Sequence, residues 1–303
     1  MPWHLTGDIS VFVAAADGYL RGDPVRNTVP LSVLAGLLAS GPAAYGDDPP
    51  QFGWHESGGR TDGAVLRTPP HPLLVAGFPA GAAAGLLGQL ATPPDAAAPP
   101  DAANMPDAAN MLDRDADEFS AAWARVTSGR TAVHHQMALF RLADLRPPSP
   151  APAGTARTPA EGDVDLLAAW TGAFGAETGA TVGDPARAVG EWLSYGGMLL
   201  WDDNGPAAMA VLSRTVAGVC RVGTVYTPPS RRQRGYGGAI TNAISQQALD
   251  AGAAEVVLYT DLANPNSNAL YERLGYRRTG GRVTLDLRQA EDLSAGQAER
   301  SSG

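Results

Sequence analysis

The sequence predicts a mixed α/β protein with largely antiparallel sheets, flanked by helices and divided between two domains. A chain of 303 residues is long for one compact domain. Segments whose apolar residues recur at helical spacing alternate with short strand-like segments, which indicates helices packed on sheets. The proline-rich segment 147–154 is typical of a linker, and it separates the two halves of the chain.

The first predicted domain covers residues 1–146. Its helices are expected over 8–20, 31–40, 80–90 and 115–126, and its strands over 51–56, 64–67, 73–76 and 135–145. The hexapeptide PDAANM occurs twice in tandem, at 100–105 and 106–111. A repeat this short, with prolines in each copy, is unsuited to burying a core, so we interpret it as a surface loop.

The second predicted domain covers residues 155–290, and a polar, flexible tail is expected over 291–303. Its helices are expected over 163–174, 185–195, 237–251 and 267–274, and its strands over 197–201, 207–213, 219–226, 255–260 and 283–287.

Composition excludes several classes of function. A net charge of −9 disfavours nucleic acid and anionic membranes as partners. All 22 basic residues are arginine, which excludes lysine Schiff-base chemistry and a phosphate-binding P-loop. Cys220 is the only cysteine, so we expect neither an intrachain disulfide nor a multi-cysteine metal site. The sequence also lacks a long apolar run and a basic, apolar leader pattern, so we expect a cytoplasmic protein, and its arginine and alanine bias is typical of a GC-rich bacterial genome.

The most informative segment follows the predicted strand 219–226. Two prolines end the strand, the loop Arg231–Gly238 reads RRQRGYGG, and a helix begins. The loop's glycines let the backbone approach a ligand closely, and the first N–H groups of a helix have no acceptors inside it. Together with the positive end of the helix dipole and the arginines, they form an anion site sized for a diphosphate. Ile240 stands where a dinucleotide-binding fingerprint needs its last glycine or alanine.

A second piece, NPNSNALYERLGY, runs from Asn264 to Tyr276 after the next predicted strand. This piece and TPPSRRQRGYGGA resemble the signature segments of the GNAT superfamily of acyl-CoA-dependent N-acyltransferases. The resemblance covers residues 151–290 and implies acetyl-CoA as co-substrate, a small-molecule primary amine as acceptor and no metal. The first domain repeats the order of elements without R-x-x-G-x-G, so it resembles a degenerate copy of the same fold in tandem.

The resemblance also implies which residues hold acetyl-CoA. They are Val225, Tyr226, Thr227, Arg232, Gln233, Arg234, Gly235, Tyr236, Gly237, Gly238, Asn264, Asn268 and Tyr271. The strand backbone would pair with the pantetheine arm, the loop amides would hold the diphosphate, and the asparagines would contact the arm. The Tyr271 hydroxyl would protonate the leaving thiolate as general acid.

The general base is left open by the sequence. The strand 219–226 contains no glutamate, so Asp261 and Glu177 are candidates by position, beside loss of the proton through water. Trp170, Phe174 and Trp192 are expected in the core, whereas 174–183 is a candidate lining of the acceptor pocket. Two alternatives remain for the function: a non-catalytic acyl-CoA-binding module that regulates a partner, and acyl transfer from a carrier protein or charged tRNA. The sequence also leaves open whether the chain forms a homodimer.

Overall fold

The computed structural model describes residues 2–92, 105–180 and 183–289. The chain forms two compact units. The first comprises Met1–Pro30, Leu37–Gln136 and Gly281–Gly303, and the second comprises Leu31–Gly36 and Met137–Gly280. Within the described residues, no helix is both long enough and apolar enough to cross a membrane.

The proline-rich segment 147–154, expected between the domains, lies inside the second unit. The Trp201 indole N–H donates to the Ala153 carbonyl at 2.8 Å, and the Asn242 side chain donates to the Arg146 carbonyl at 3.0 Å. Because the backbone at both ends of the segment is fixed by side chains of this unit, it is part of the fold. The tail 291–303 lies outside the described residues.

The first unit is an α/β layer whose strands are mostly antiparallel. Its elements are β1 (Trp3–Thr6), α1 (Ile9–Arg21), the two ends of α2 (Thr28–Ser40), β2 (Gln51–Ser57), β3 (Arg60–Arg67), β4 (Leu73–Gly77), α3 (Ala83–Leu90), β5 (Ala108–Leu112), α4 (Ala116–Thr127) and the end of β12 (Tyr276–Arg288). The strand order is β1-β2-β3-β4-β5-β12, and of these pairs only β4–β5 is parallel. Side chains of α3 and α4, including Phe119 and Trp123, pack on the buried residues of these strands.

The second copy of the hexapeptide repeat is not a surface loop. Its residues Ala108–Met111 belong to β5, which pairs antiparallel with β12 and parallel with β4. Ala109 and Met111 are fully buried, so burial of alternate side chains and pairing on both sides compensate for a composition that does not favour a strand. Most of the first copy lies outside the described residues.

The second unit is again a mostly antiparallel sheet with helices packed on it. Its elements are the end of β6 (Arg130–Leu142), β7 (Thr155–Arg157), α5 (Val164–Thr178), α6 (Pro185–Ser194), β8 (Met198–Asp202), β9 (Pro206–Leu212), β10 (Val219–Tyr226), α7 (Tyr236–Asp250), β11 (Glu255–Asp261), α8 (Pro265–Arg273) and the start of β12. The strand order is β6-β11-β10-β9-β8-β7, and only β10–β11 is parallel.

Two helices of this unit, α6 and α8, begin at residues whose side chains cap them. Asp184 accepts the N–H of Ala186 at 2.9 Å with Pro185 in the first helical position, so α6 starts there.

One face of α7, with Ile240 and Ile244, is buried in the main core. Trp170, Phe174 and Trp192 pack against a second cluster that contains Tyr226, as the sequence predicted.

Candidate active site

Strands β10 and β11 part half-way along their length. They pair from Val219–Glu255 to Val222–Leu258, and β10 then continues to Tyr226 without a further pair to β11 among the described residues. A bulge interrupts its register with β9 between Gly223 and Tyr226, where Thr224 has a φ of 46°. The parting leaves the backbone of β10 beyond Val222 without a strand partner on the β11 side, where an extended ligand can add to the strand.

The loop after β10 presents a row of free amides at the start of α7. Gln233 has a φ of 62° and Gly235 a φ of 84°, so the chain turns sharply before the helix begins at Tyr236. The backbone N–H groups from Gln233 to Gly238 donate no hydrogen bond to any residue that the structure describes, whereas the next one, Ala239, donates to the Gly235 carbonyl at 3.1 Å. Free amides at a helix N-terminus are a binding site for an anion.

The arginines of the loop differ in their partners. Arg232 donates from Nε to the Thr227 carbonyl at 2.9 Å and from Nη2 to Glu177 Oε2 at 2.5 Å. Arg231 and Arg234 form no ion pair with the described part of the chain. The loop therefore combines free amides with two guanidinium groups that carry no internal counter-charge.

Tyr271 of α8 lies in the main core of the unit, with 8% of its surface exposed. Its ring centroid is 6.5 Å from that of Phe140 and 6.2 Å from that of Tyr276. Its hydroxyl makes no hydrogen bond to the residues that the structure describes, and burial raises its pKa to about 12. The phenol is therefore protonated at neutral pH and has a proton to donate.

Two asparagines flank the start of α8. Asn264 caps the helix, with Oδ1 accepting the N–H of Ser267 at 3.1 Å. Asn268 donates from Nδ2 to the Leu262 carbonyl at 3.3 Å. The Oδ1 of Asn268 is buried and has no donor within the described residues, so its capacity to accept a hydrogen bond is unused there.

The two carboxylates that the sequence offers as bases already have partners. Asp261 accepts the backbone N–H of Ala263 at 2.7 Å in the turn after β11. Glu177, at the end of α5, holds Arg232 and also accepts from the Tyr226 hydroxyl at 3.3 Å. The structure thus brings Glu177, Tyr226 and Arg232 together, whereas Asp261 lies at the end of β11.

The contact of Trp170 with this group was not predicted from the sequence. Its ring centroid lies 6.0 Å from that of Tyr226. Trp170 precedes Glu177 by seven residues on α5, which places the two side chains on one face of the helix, two turns apart. That spacing was the available signal, but it does not reveal which strand the face meets.

Residues 167–276 match the Acetyltransferase (GNAT) family. The chain contains a GNAT acetyltransferase domain. The matched range includes the parted strands, the glycine-rich loop and Tyr271, and it confirms the resemblance that the sequence motifs indicated. The match supports acyl-CoA-dependent acetyl transfer as the general activity of the GNAT domain.

Solved structures show that the GNAT fold extends beyond the matched range. A GCN5-related N-acetyltransferase from Sphaerobacter thermophilus is 17% identical, with a TM-score of 0.59 over 96% of this chain and 98% of that one. A tandem GNAT protein from the clavulanic acid biosynthesis pathway is 12% identical, with a TM-score of 0.56 over 94% of this chain and 98% of that one. A Drosophila protein is 14% identical, with a TM-score of 0.61 over 96% and 99%. These similarities confirm the predicted fold class.

No curated protein matches the chain significantly. Across residues 2–92, 105–180 and 183–289, no group of three or more histidine, cysteine, aspartate or glutamate side chains is placed to hold a metal ion.

Proposed function

We propose that the second unit is an acetyl-CoA-dependent N-acetyltransferase that transfers the acetyl group to a primary amine of a small molecule. The observation that carries this proposal is the row of six free amides from Gln233 to Gly238 beside a strand that parts from its neighbour. The amides and the unpaired arginines would hold the diphosphate of acetyl-CoA. The backbone at Val225–Thr227 and the buried Oδ1 of Asn268 would bind the pantetheine arm.

The reaction is a direct attack on the thioester. The neutral amine nitrogen forms a bond to the carbonyl carbon, and a backbone N–H of β10 near Tyr226 stabilises the oxyanion that develops. The carbon–sulfur bond then breaks, the sulfur receives the proton of the Tyr271 hydroxyl, and the phenolate regains a proton from water. The products are the N-acetyl amine and CoA.

The amine proton leaves through water in this proposal. Glu177 binds a cationic group and Asp261 accepts a backbone N–H in the turn after β11, so we assign the loss of the amine proton to water rather than to either carboxylate. Cys220 is buried, and burial raises the pKa of its thiol to about 11. A thiol in that state is a poor nucleophile, which favours direct transfer over an acyl-cysteine intermediate.

The test is CoA release by the purified full-length protein with acetyl-CoA and a panel of primary amines. We expect turnover with at least one amine, and loss of turnover without loss of CoA binding in Tyr271→Phe. Tight CoA binding without turnover of any acyl-CoA would instead support a non-catalytic CoA-binding module.

A further inference from the structure

Glu177 holds the guanidinium of Arg232 beside the ring of Tyr226 in the second unit. Its Oε2 lies 2.5 Å from Nη2 of Arg232, and its Oε1 accepts from the Tyr226 hydroxyl at 3.3 Å. The Arg232 Cζ is 5.9 Å from the centroid of the Tyr226 ring, which in turn packs against Trp170. A carboxylate beside an aromatic ring favours the binding of an organic cation. In this structure the cation bound there is the guanidinium of Arg232.

This place lies between the two parts of the proposed active site. Tyr226 is the last residue of β10 and lies within the backbone that we assign to the pantetheine arm. Arg232 stands at the start of the loop that we assign to the diphosphate, and its Nε is held by the Thr227 carbonyl. Arg232 is therefore part of the loop by its position in the chain, whereas its guanidinium lies against Glu177.

We propose that Glu177, Tyr226 and Trp170 bind the cationic group of the acceptor, and that Arg232 fills their site until the diphosphate of CoA takes its guanidinium. This inference rests on the proposed function. Both partners of the ion pair are more than 40% exposed, and exposed ion pairs are weak. A diphosphate offers several charged acceptors to one guanidinium, so it competes well for Arg232. Binding of CoA therefore opens the acceptor site, and binding is ordered.

The first consequence is measured with CoA alone. Isothermal titration of the full-length protein should give about twofold to fivefold tighter CoA binding in Glu177→Gln than in the wild type, because Arg232 no longer has a competing partner. Arg232→Ala should weaken binding. The double variant should equal Arg232→Ala, because Glu177 acts on CoA only through Arg232.

The second consequence is measured with 1,4-diaminobutane as the cationic probe and butylamine as its singly charged counterpart. The wild type should bind the diamine at least about fivefold more tightly with CoA present than without it. Glu177→Gln should lose this difference, and butylamine should show little of it. Arg232→Ala should bind the diamine without CoA.

The chain offers a matched control in the same unit. Glu191 pairs with Arg214 at 2.9 Å, and the Arg214 Cζ lies 4.2 Å from the centroid of the Tyr195 ring. Glu191→Gln breaks the same kind of carboxylate, guanidinium and tyrosine group, and it should behave as the wild type in both titrations.

The outcomes separate this inference from the proposed function. If the wild type binds CoA, but Glu177→Gln matches Glu191→Gln in CoA affinity or binds the diamine as the wild type does, the inference is wrong and the proposed function stands. If the wild type does not bind CoA, both are wrong.

Discussion

The side-chain carboxylate of Glu118 accepts a hydrogen bond of 2.7 Å from the backbone N–H of Gly81. Gly81 lies between β4 and α3 of the first unit, in a turn that joins a strand to a helix as the glycine-rich loop joins β10 to α7. A carboxylate there repels a diphosphate. The guanidinium of Arg282, 2% exposed, also bridges β4 and β5 by donating to the carbonyls of Val75 and Asn110, both at 3.0 Å.

The first unit should therefore bind no CoA, and the chain should bind one molecule. Isothermal titration of the wild type with CoA checks this stoichiometry. Glu118→Gln should keep it, because Arg282 still joins the two strands. The assignment of CoA binding to the second unit alone would be contradicted if the wild type bound two equivalents of CoA and a substitution in the first unit removed one of them.

Tyr271→Phe should reduce kcat by about a hundredfold or more and leave CoA affinity unchanged, since it removes a proton donor. The fold should be unaffected, because the hydroxyl has no hydrogen-bond partner among the described residues. Because the pKa of Tyr271 is raised to about 12, loss of the phenolic proton should not limit the wild-type rate below about pH 11.

The control is Tyr276→Phe. Its hydroxyl lies 2.6 Å from Ser245 Oγ in the core, so this variant should lose about 1 kcal/mol of unfolding free energy and keep kcat. Equal losses of kcat in the two variants would show that Tyr271 acts only through packing.

Gly235→Ala should weaken CoA binding by distorting the loop. Gly235 has a φ of 84°, and so does Gly252 just beyond the other end of α7. An alanine at either position should cost about 1 kcal/mol of unfolding free energy, which denaturant unfolding measures. Only Gly235→Ala should also lower CoA affinity in a titration. A similar loss of affinity in Gly252→Ala would mean that helix stability, rather than loop geometry, controls binding.

Arg157 should stabilise the second unit at neutral pH but not in acid. It donates to Asp163 at 2.6 Å and to Asp202 at 2.9 Å, and these hydrogen bonds lower the pKa of both carboxyls. A carboxyl with a lowered pKa in the folded state contributes stability above its ordinary pKa near 4, and the contribution disappears as the pH falls through the lowered value.

Thermal unfolding of Arg157→Met measures this effect. Its midpoint should be below that of the wild type at pH 7, and the difference should shrink steadily below about pH 4. Arg21→Met, which breaks one exposed pair with Asp17 at 2.7 Å, should change the midpoint little at either pH. A difference that persists undiminished in acid would contradict the role of the carboxylates.

Local chemistry made part of the fold predictable from the sequence. The two prolines after Tyr226 end β10 where the sequence placed its end. The helix α8 was also predicted, but the cap Asn264 and Pro265 start it ahead of the expected residue 267. The strand β5 was missed because alanine, asparagine and methionine do not favour a strand on their own. It forms through pairing with Arg282–Asp286, more than 150 residues away in the chain.

The same limit applies to the candidate site. The glycine-rich loop and Tyr271 lie in contiguous motifs, so the sequence could nominate them. The pairing of Glu177 with Arg232 spans 55 residues, and it depends on how α5 packs beside the end of β10. No spacing rule predicts that contact, and only the tertiary fold brings the two side chains together.

The most direct test of the account follows the backbone amides of the loop by amide N–H correlation NMR on the full-length protein. Acetyl-CoA should shift the signals of Gln233 to Gly238 strongly, and pantetheine, which lacks the diphosphate, should leave most of them in place. Loop signals that do not move on saturation with acetyl-CoA, or that move equally with pantetheine, would contradict the claim that these amides hold the diphosphate.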